Sequence, residues 1–235
     1  MTPLLTHPWT ISLRNRLRGN RVARYAYDRW MGSHDYEEAF GKRLLAAVDS
    51  TSVVWDIGAN VGLYTEQFLA KGAARIVCWE PAPEAIRVLL DRFGAGSPHA
   101  DRVVVMQAAL SERNGIARFS ANGDSVTNRL AENEAPAAGT IDVRVLRADH
   151  AVRNGEVPAP TVVKIDVEGF ELDVLRGFGT LLEFKALRAV FVEVHFTRLH
   201  ERDMDYAPKA IHQLLAGHGF ETRWLDLSHL AGLRP

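Results

Sequence analysis

Within this 235-residue chain, the stretch Val53-Val54-Trp55-Asp56-Ile57-Gly58-Ala59-Asn60-Val61-Gly62 constrains the fold most. A short apolar run ends in an acid, two glycines punctuate a turn, and a helical pattern begins near Leu63. A strand, a tight turn and a helix in that order make a ligand-binding βα unit. The competing reading is an ordinary βα turn that needs glycine only for its backbone.

Composition narrows the class. At 47% hydrophobic and 24% charged residues, the chain suits a soluble globular protein with a substantial core of its own. A net charge of −1 gives no general attraction to nucleic acid or anionic membranes. Cys78 is the sole cysteine, so an internal disulfide and a cysteine-rich zinc site are excluded. No apolar run approaches the roughly 18 residues of a membrane span. Met1 to Ser12 lacks a charged leader before a sustained apolar core. A cytoplasmic location is the simplest expectation.

Residues 1–50 stand apart as an N-terminal helical cap or extension. Arg14, Arg16, Arg18, Arg21, Arg24 and Arg29 fall within sixteen residues, with Tyr25, Tyr27, Trp30 and Tyr36 interleaved. Such a charge run reads as a solvated face or as partners for acids on the main domain; a patch for an acidic ligand is the sharper alternative. Tyr36, Phe40, Leu44, Leu45 and Val48 recur at helical spacing over residues 34–48.

From residue 51 to 235, strands and helices alternate. The pattern predicts strands at 53–55, 75–79, 103–106, 116–120, 141–146, 161–165, 189–194 and 220–225. It predicts helices at 63–70, 83–93, 170–176 and 208–216, the last two closed by Gly177 and Gly217. The polar stretch 122–140 reads as a mobile loop, and the last ten residues hold at most a short edge strand. The expected class is α/β: a doubly wound, mostly parallel sheet.

The turn does not carry the G-x-G-x-x-G pattern of a pyrophosphate site. Its run is Asp-x-Gly-x-Asn-x-Gly, with Asp56 at the strand mouth, where an anionic group meets a like charge and an ammonium an opposite one. Gly58 leaves the backbone open to a ligand, and Gly62 allows the helix to pack against the strand. Glu80 ends the second strand, 24 residues after Asp56, where an acid accepts hydrogen bonds from a ribose diol. Ribose plus ammonium without pyrophosphate points to S-adenosyl-L-methionine.

Asp56-Ile57-Gly58-Ala59-Asn60-Val61-Gly62, Glu80-Pro81, Lys164-Ile165-Asp166-Val167-Glu168-Gly169-Phe170-Glu171 and Glu193-Val194-His195 together resemble the FkbM family of S-adenosylmethionine-dependent methyltransferases. The resemblance covers roughly residues 50–225 and is most specific in the Lys-Ile-Asp-Val-Glu-Gly run. It implies a class I methyltransferase fold and methylation of an oxygen on a sugar or natural product. It places Asp56, Gly58 and Asn60 at the methionine end of the cofactor, Glu80 at the ribose, and Gln107 and Ala108 beside the adenine. Ser125 matches a serine often found in the family, without an assigned role.

On the acceptor side, residues two apart share a strand face, so Lys164 pairs with Asp166 and Glu193 with His195. If their strands are neighbours, Asp166 and Glu193 meet at the carboxyl end of the sheet. Three readings compete. In the favoured one, a carboxylate or His195 is the general base for an acceptor hydroxyl, with Asp166 and His195 dominant. In the next, Lys164 neutralises a structural cluster. In the weakest, Asp166 and Glu193, with or without His195, hold a divalent metal that orients a diol, which is not expected here; oxygen ligands alone would suit Mg²⁺, and His195 would favour a transition metal. His200, His212, His218 and His229 read as surface or helix histidines, and Phe220 and Trp224 as packing.

The expected partners are a small-molecule or glycan acceptor and no nucleic acid. An NAD-dependent oxidoreductase on a Rossmann-like fold and a non-catalytic cofactor-binding module remain alternatives.

Overall fold

The computed structural model describes residues 33–120, 126–127 and 140–235. The arginine-rich stretch and most of the 122–140 loop, with Ser125, lie outside the described residues.

Helix α1 (Ser33–Ala46) leads into β1 (Val53–Ile57), α2 (Leu63–Ala70), β2 (Arg75–Trp79), α3 (Pro83–Phe93) and β3 (Val103–Met106). The chain continues through short strands β4 (Ala109–Leu110), β5 (Gly115–Ser120), β6 (Val126–Thr127) and β7 (Thr140–Leu146). Then come α4 (Ala148–Arg153), β8 (Val162–Ile165), α5 (Glu171–Phe178) and a 3-10 turn (Gly179–Glu183). Strand β9 (Ala189–Glu193), α6 (Phe196–Glu201), α7 (Ala207–Gly217), β10 (Glu221–Trp224) and β11 (His229–Leu233) complete it.

The main sheet has the order β10-β11-β9-β8-β1-β2-β3. Strands β3, β2, β1, β8 and β9 pair in parallel. From β1 the chain winds outward through β2 and β3, then returns to β8 on the other side of β1. That reversal opens a crevice at the carboxyl ends of β1 and β8, the usual ligand position in such sheets. Both faces are covered. On β1 and β2, Trp55, Ile57, Val77 and Trp79 face one apolar cluster, and Val54, Ile76 and Cys78 face the other. The continuous apolar runs of these strands reflect this double burial.

Helices form where one stripe is apolar. In α3, Ala85, Ile86, Leu89 and Phe93 are buried, and Pro83 opens the helix where its missing N–H costs nothing. In α1, Phe40 and Leu44 are buried, and Phe40 meets Phe191 of β9 edge-on at 5.9 Å. Phe40, Leu44 and Val48 thus belong to a core cluster shared with β1 and β2. Among the described residues, no helix is long and apolar enough to cross a membrane.

Several details depart from the pattern-based expectation. Gly177 does not close its helix; it lies inside α5, where a Cβ would come within 2.0 Å of the Ser111 carbonyl oxygen. Its hydrogen side chain permits close approach rather than helix exit. Gly217 is the last residue of α7 rather than its stop. Strands β4, β5, β6 and β7 form a separate four-stranded sheet. The final segment is a full strand. β11 lies between β9 and β10, antiparallel to both, so β10 is the edge.

The glycines of the turn serve different neighbours from those expected. Gly58 has φ 76°, and a Cβ there would lie 1.8 Å from the Asp166 carbonyl oxygen. It lets the turn after β1 close on the exit of β8. Gly62, at φ 82°, would put a Cβ 2.6 Å from the Phe93 ring, so it admits α3 rather than the strand. Gly58→Ala combines a left-handed backbone with a backbone clash and should cost about 3 kcal/mol or more. Urea unfolding checks this; a midpoint equal to wild type would contradict it.

His229, read from the sequence as a surface or helix histidine, is buried. Its Nδ1 lies 2.7 Å from Asp226 Oδ2, its Nε2 3.6 Å from Glu193 Oε2, and its ring stacks on Phe40 at 4.1 Å. The register of β11 on β9 sets His229 opposite Glu193. Burial works against the ring's charge, but Asp226 and Glu193 outweigh it and raise the pKa from 6.5 to about 9. Because the folded value is the higher one, this stabilisation is complete below about pH 6.5 and is lost as pH rises through about 9. Thermal unfolding from pH 7 to 10 should therefore show a decline in Tm that is shallower in His229→Asn. Equal slopes would contradict the pairing.

Candidate active site

The crevice has two halves, joined by one buried ammonium. In the first half, the turn after β1 is laced to its neighbours through the backbone. Gly58 and Ala59 N–H groups donate to the Trp79 carbonyl at 2.9 and 3.1 Å, and Asp166 N–H donates to the Ile57 carbonyl at 3.0 Å. Asn60 adopts φ 48° and donates its N–H to Glu80 Oε2 at 2.9 Å; Ala82 N–H donates to Glu80 Oε1 at 2.9 Å. Glu80 thus ties the turn after β1 to the loop after β2. Burial raises its pKa, and the two N–H donors only partly oppose that. Each oxygen keeps acceptor capacity beyond its one N–H donor. Glu80 N–H donates to the Met106 carbonyl at 3.1 Å, which sets the end of β3 alongside. Past that end, Gln107 is exposed and Ala108 is buried.

Asp56 is placed differently from the sequence expectation. It is fully buried, with Oδ2 accepting from the Thr65 hydroxyl at 2.7 Å and Oδ1 lying 3.3 Å from Lys164 Nζ. Its charge is met from within the protein, because a carboxylate with no water access requires a fixed countercharge. Asp56 supports the turn from below rather than presenting a free charge to a ligand.

Lys164 is the link. β1 and β8 pair with Asp56 opposite Lys164. The ammonium contacts Asp56 and Asp166 at 3.3 Å each, donates to the Gly58 carbonyl at 3.4 Å, and lies 5.0 Å over the Tyr64 ring. Burial alone would depress its pKa; the two carboxylates reverse this and hold it well above the ordinary range.

The second half is a ring of carboxylates around His195. Asp166 leaves β8, Glu193 ends β9, and His195 precedes α6. His195 Nε2 lies 3.6 Å from Asp166 Oδ1, 3.6 Å from Glu168 Oε1 and 3.8 Å from Glu193 Oε1. Nδ1 faces Glu171 Oε1 at 2.7 Å. The four predicted acceptor-side residues, Lys164, Asp166, Glu193 and His195, are therefore brought together.

The charges follow from this packing. Burial pulls the His195 pKa down, but the Glu171 hydrogen bond and the charges of Glu171, Glu168 and Glu193 raise it to about 9. Burial pushes Glu193 up, and His229 and His195 more than offset this, so its pKa is lowered. A cleft of about 220 Å³ opens beside the cluster, lined by Glu168, Glu193, His195, Thr197, Arg198 and Ser228. A larger groove of about 420 Å³ between α2 and α3 contains none of the predicted site residues.

Glu168 and Glu171 received no role from the sequence. Glu171 looks like an ordinary acid in the first turn of a helix, where the helix dipole favours one. Only the return of β9 beside β8 shows that it faces His195. Asp226 and His229 were equally hidden, although an acid three residues before a histidine fits a local clasp.

Comparisons with known proteins identify the family. The family described as methyltransferase FkbM domain matches residues 56–222. The hexuronic acid methyltransferase AglP of Haloferax volcanii is 32% identical over 158 residues, covering 65% of this chain and 59% of that protein. The 2-O-methyltransferase NoeI of Sinorhizobium fredii is 29% identical, covering 63% of this chain and 65% of that protein. The chain thus spans about three-fifths of the length of these curated relatives. A crystal structure of the methyltransferase FkbM from Methylobacillus flagellatus shares the fold, with TM-score 0.53 and 17% identity, over 79% of this chain and 44% of that one. With most of the chain, from Asp56 into β10, matched by one family, this protein belongs to the methyltransferase FkbM domain family.

Proposed function

We propose that the chain transfers a methyl group from S-adenosyl-L-methionine to a hydroxyl oxygen of a sugar or related natural product. The observation that carries this reading is the Asp56–Lys164–Asp166 bridge. It fixes the nucleoside-type turn and the carboxylate–histidine cluster at one crevice of the sheet. The sugar acceptor rests on the two relatives, one named for a hexuronic acid and the other for 2-O-methylation.

The residues present fit the cofactor. The Glu80 carboxylate has lone pairs left for a ribose diol, and Gln107 and Ala108 directly follow Met106, whose carbonyl accepts the Glu80 N–H. Asn60 is exposed on the turn, beside Gly58 and Gly62. When bound, the cofactor supplies an electrophilic methyl on a positively charged sulfur. The protein's part is to align the acceptor oxygen with that methyl and to remove the hydroxyl proton. Alignment can supply on the order of 7–11 kcal/mol at best. A general base adds roughly 10² to 10⁴ in rate.

Proton removal falls to the cluster. Asp166 and Glu193 are its partly exposed carboxylates, and Lys164 fixes Asp166 from behind. His195, with its raised pKa, is a cation at neutral pH in the unliganded protein and binds the carboxylates into one unit. Asp166→Asn and His195→Ala should each lower kcat for labelled methyl transfer at least about a hundredfold, with cofactor affinity within about threefold of wild type. Near-normal turnover in both variants, or a methyl mass gain located on nitrogen, would sink the reading.

A further inference from the structure

We propose that Asp166, Glu168 and His195 form a divalent transition-metal site, with the buried Glu171 orienting the histidine. This inference rests on the same crevice as the methyltransferase reading but concerns a ligand that reading does not require.

The spacing of the cluster is the first reason. His195 Nε2 stands 3.6 Å from both Asp166 Oδ1 and Glu168 Oε1. That is too far for a hydrogen bond. Atoms about 2.1 Å from one ion at tetrahedral to trigonal angles stand about 3.4–3.7 Å apart. All three ligand atoms lie within 4.8 Å of one another. Rotation of the Glu168 side chain, which is 63% exposed, closes the remaining gap.

The second reason is Glu171. A metal-bound histidine characteristically gives its other ring N–H to a carboxylate, which fixes the tautomer and aims the free nitrogen. Glu171 Oε1 accepts the Nδ1–H at 2.7 Å and also accepts the Gly169 N–H at 2.8 Å. The Glu171 side chain is fully buried, and its Oε2 has no hydrogen-bond partner among the described residues. A buried carboxylate oxygen in this state calls for a water or an ion beside it.

The charge count agrees. Among the described residues, Asp56, Asp166, Glu168, Glu171, Glu193, Glu201 and Asp226 form one connected set with Lys164, Arg198, His195 and His229. Even with both histidines protonated, seven carboxylates face four cations. A divalent ion that replaces the His195 proton reduces this excess by one charge. One imidazole nitrogen and two carboxylate oxygens suit Mn²⁺, Co²⁺ or Zn²⁺ better than Ca²⁺ or Mg²⁺, which favour oxygen-only shells. Three protein ligands leave positions toward the cleft where hydroxyl oxygens of an acceptor can coordinate, and coordination lowers a hydroxyl pKa.

Electron paramagnetic resonance titration of the full chain with Mn²⁺ tests this. Wild type should bind one ion, and Glu168→Gln and His195→Ala should each weaken binding at least tenfold. Calorimetry with S-adenosylhomocysteine on Glu168→Gln should give near-wild-type affinity and confirm an intact fold. Mn²⁺ that stays free in wild type, or wild-type affinity in both variants, would overturn the site. Methyl transfer insensitive to EDTA, with no ion bound, overturns the metal site and leaves the methyltransferase reading standing. Ion binding lost in the variants, with no methyl transfer to any acceptor, supports the site and counts against that other reading.

Discussion

One buried ammonium organises the crevice. Lys164 stands between Asp56 and Asp166, on the central strand pair where the chain reverses direction. Removing one partner from such a set leaves an uncompensated buried charge, a loss of roughly 3–5 kcal/mol. The fold tolerates the arrangement because β1 and β8 are in register and because Gly58 lets Asp166 close over the turn. The same contact that satisfies Asp56 also fixes the first carboxylate of the cluster. A change at the turn after β1 is therefore felt at the cluster, through one side chain and one carbonyl.

Around that link, the cluster is assembled from strand and helix ends. β8 delivers Asp166, the left-handed turn at Glu168 and Gly169 brings a second acid round, and α5 supplies Glu171 from below. β9 adds Glu193, His195 follows at the start of α6, and β11 contributes His229 from the antiparallel side. Residues on rigid ends are held more tightly than residues on free loops, which suits a reaction governed by alignment.

Much of this was legible in the sequence, for identifiable reasons. Apolar runs bounded by glycine and proline located β2, α2, α3 and β3 to the residue, because doubly buried strands and amphipathic helices leave strong periodic signals. The residues of the turn, Glu80 and the Lys164–Asp166 run were visible because their chemistry is local. What the sequence hid was non-local. Gly58 answers to Asp166 more than a hundred residues away, Asp56 to Lys164, and His195 to Glu171 and to Glu168. β11 was weak in pattern because Gly232 interrupts a run only five residues long, yet pairing on both edges makes it a central strand. His229 looked superficial for the same reason: its burial depends wholly on that insertion.

The claim on which the rest stands is that the Asp56–Gly62 turn and Glu80 hold the donor of a methyl group and not a nicotinamide dinucleotide. Calorimetric titration of the full chain with S-adenosylhomocysteine, and separately with NAD, addresses it most directly. One saturable site for S-adenosylhomocysteine and no heat with NAD is the expected result. Saturable NAD binding with no response to S-adenosylhomocysteine would contradict it.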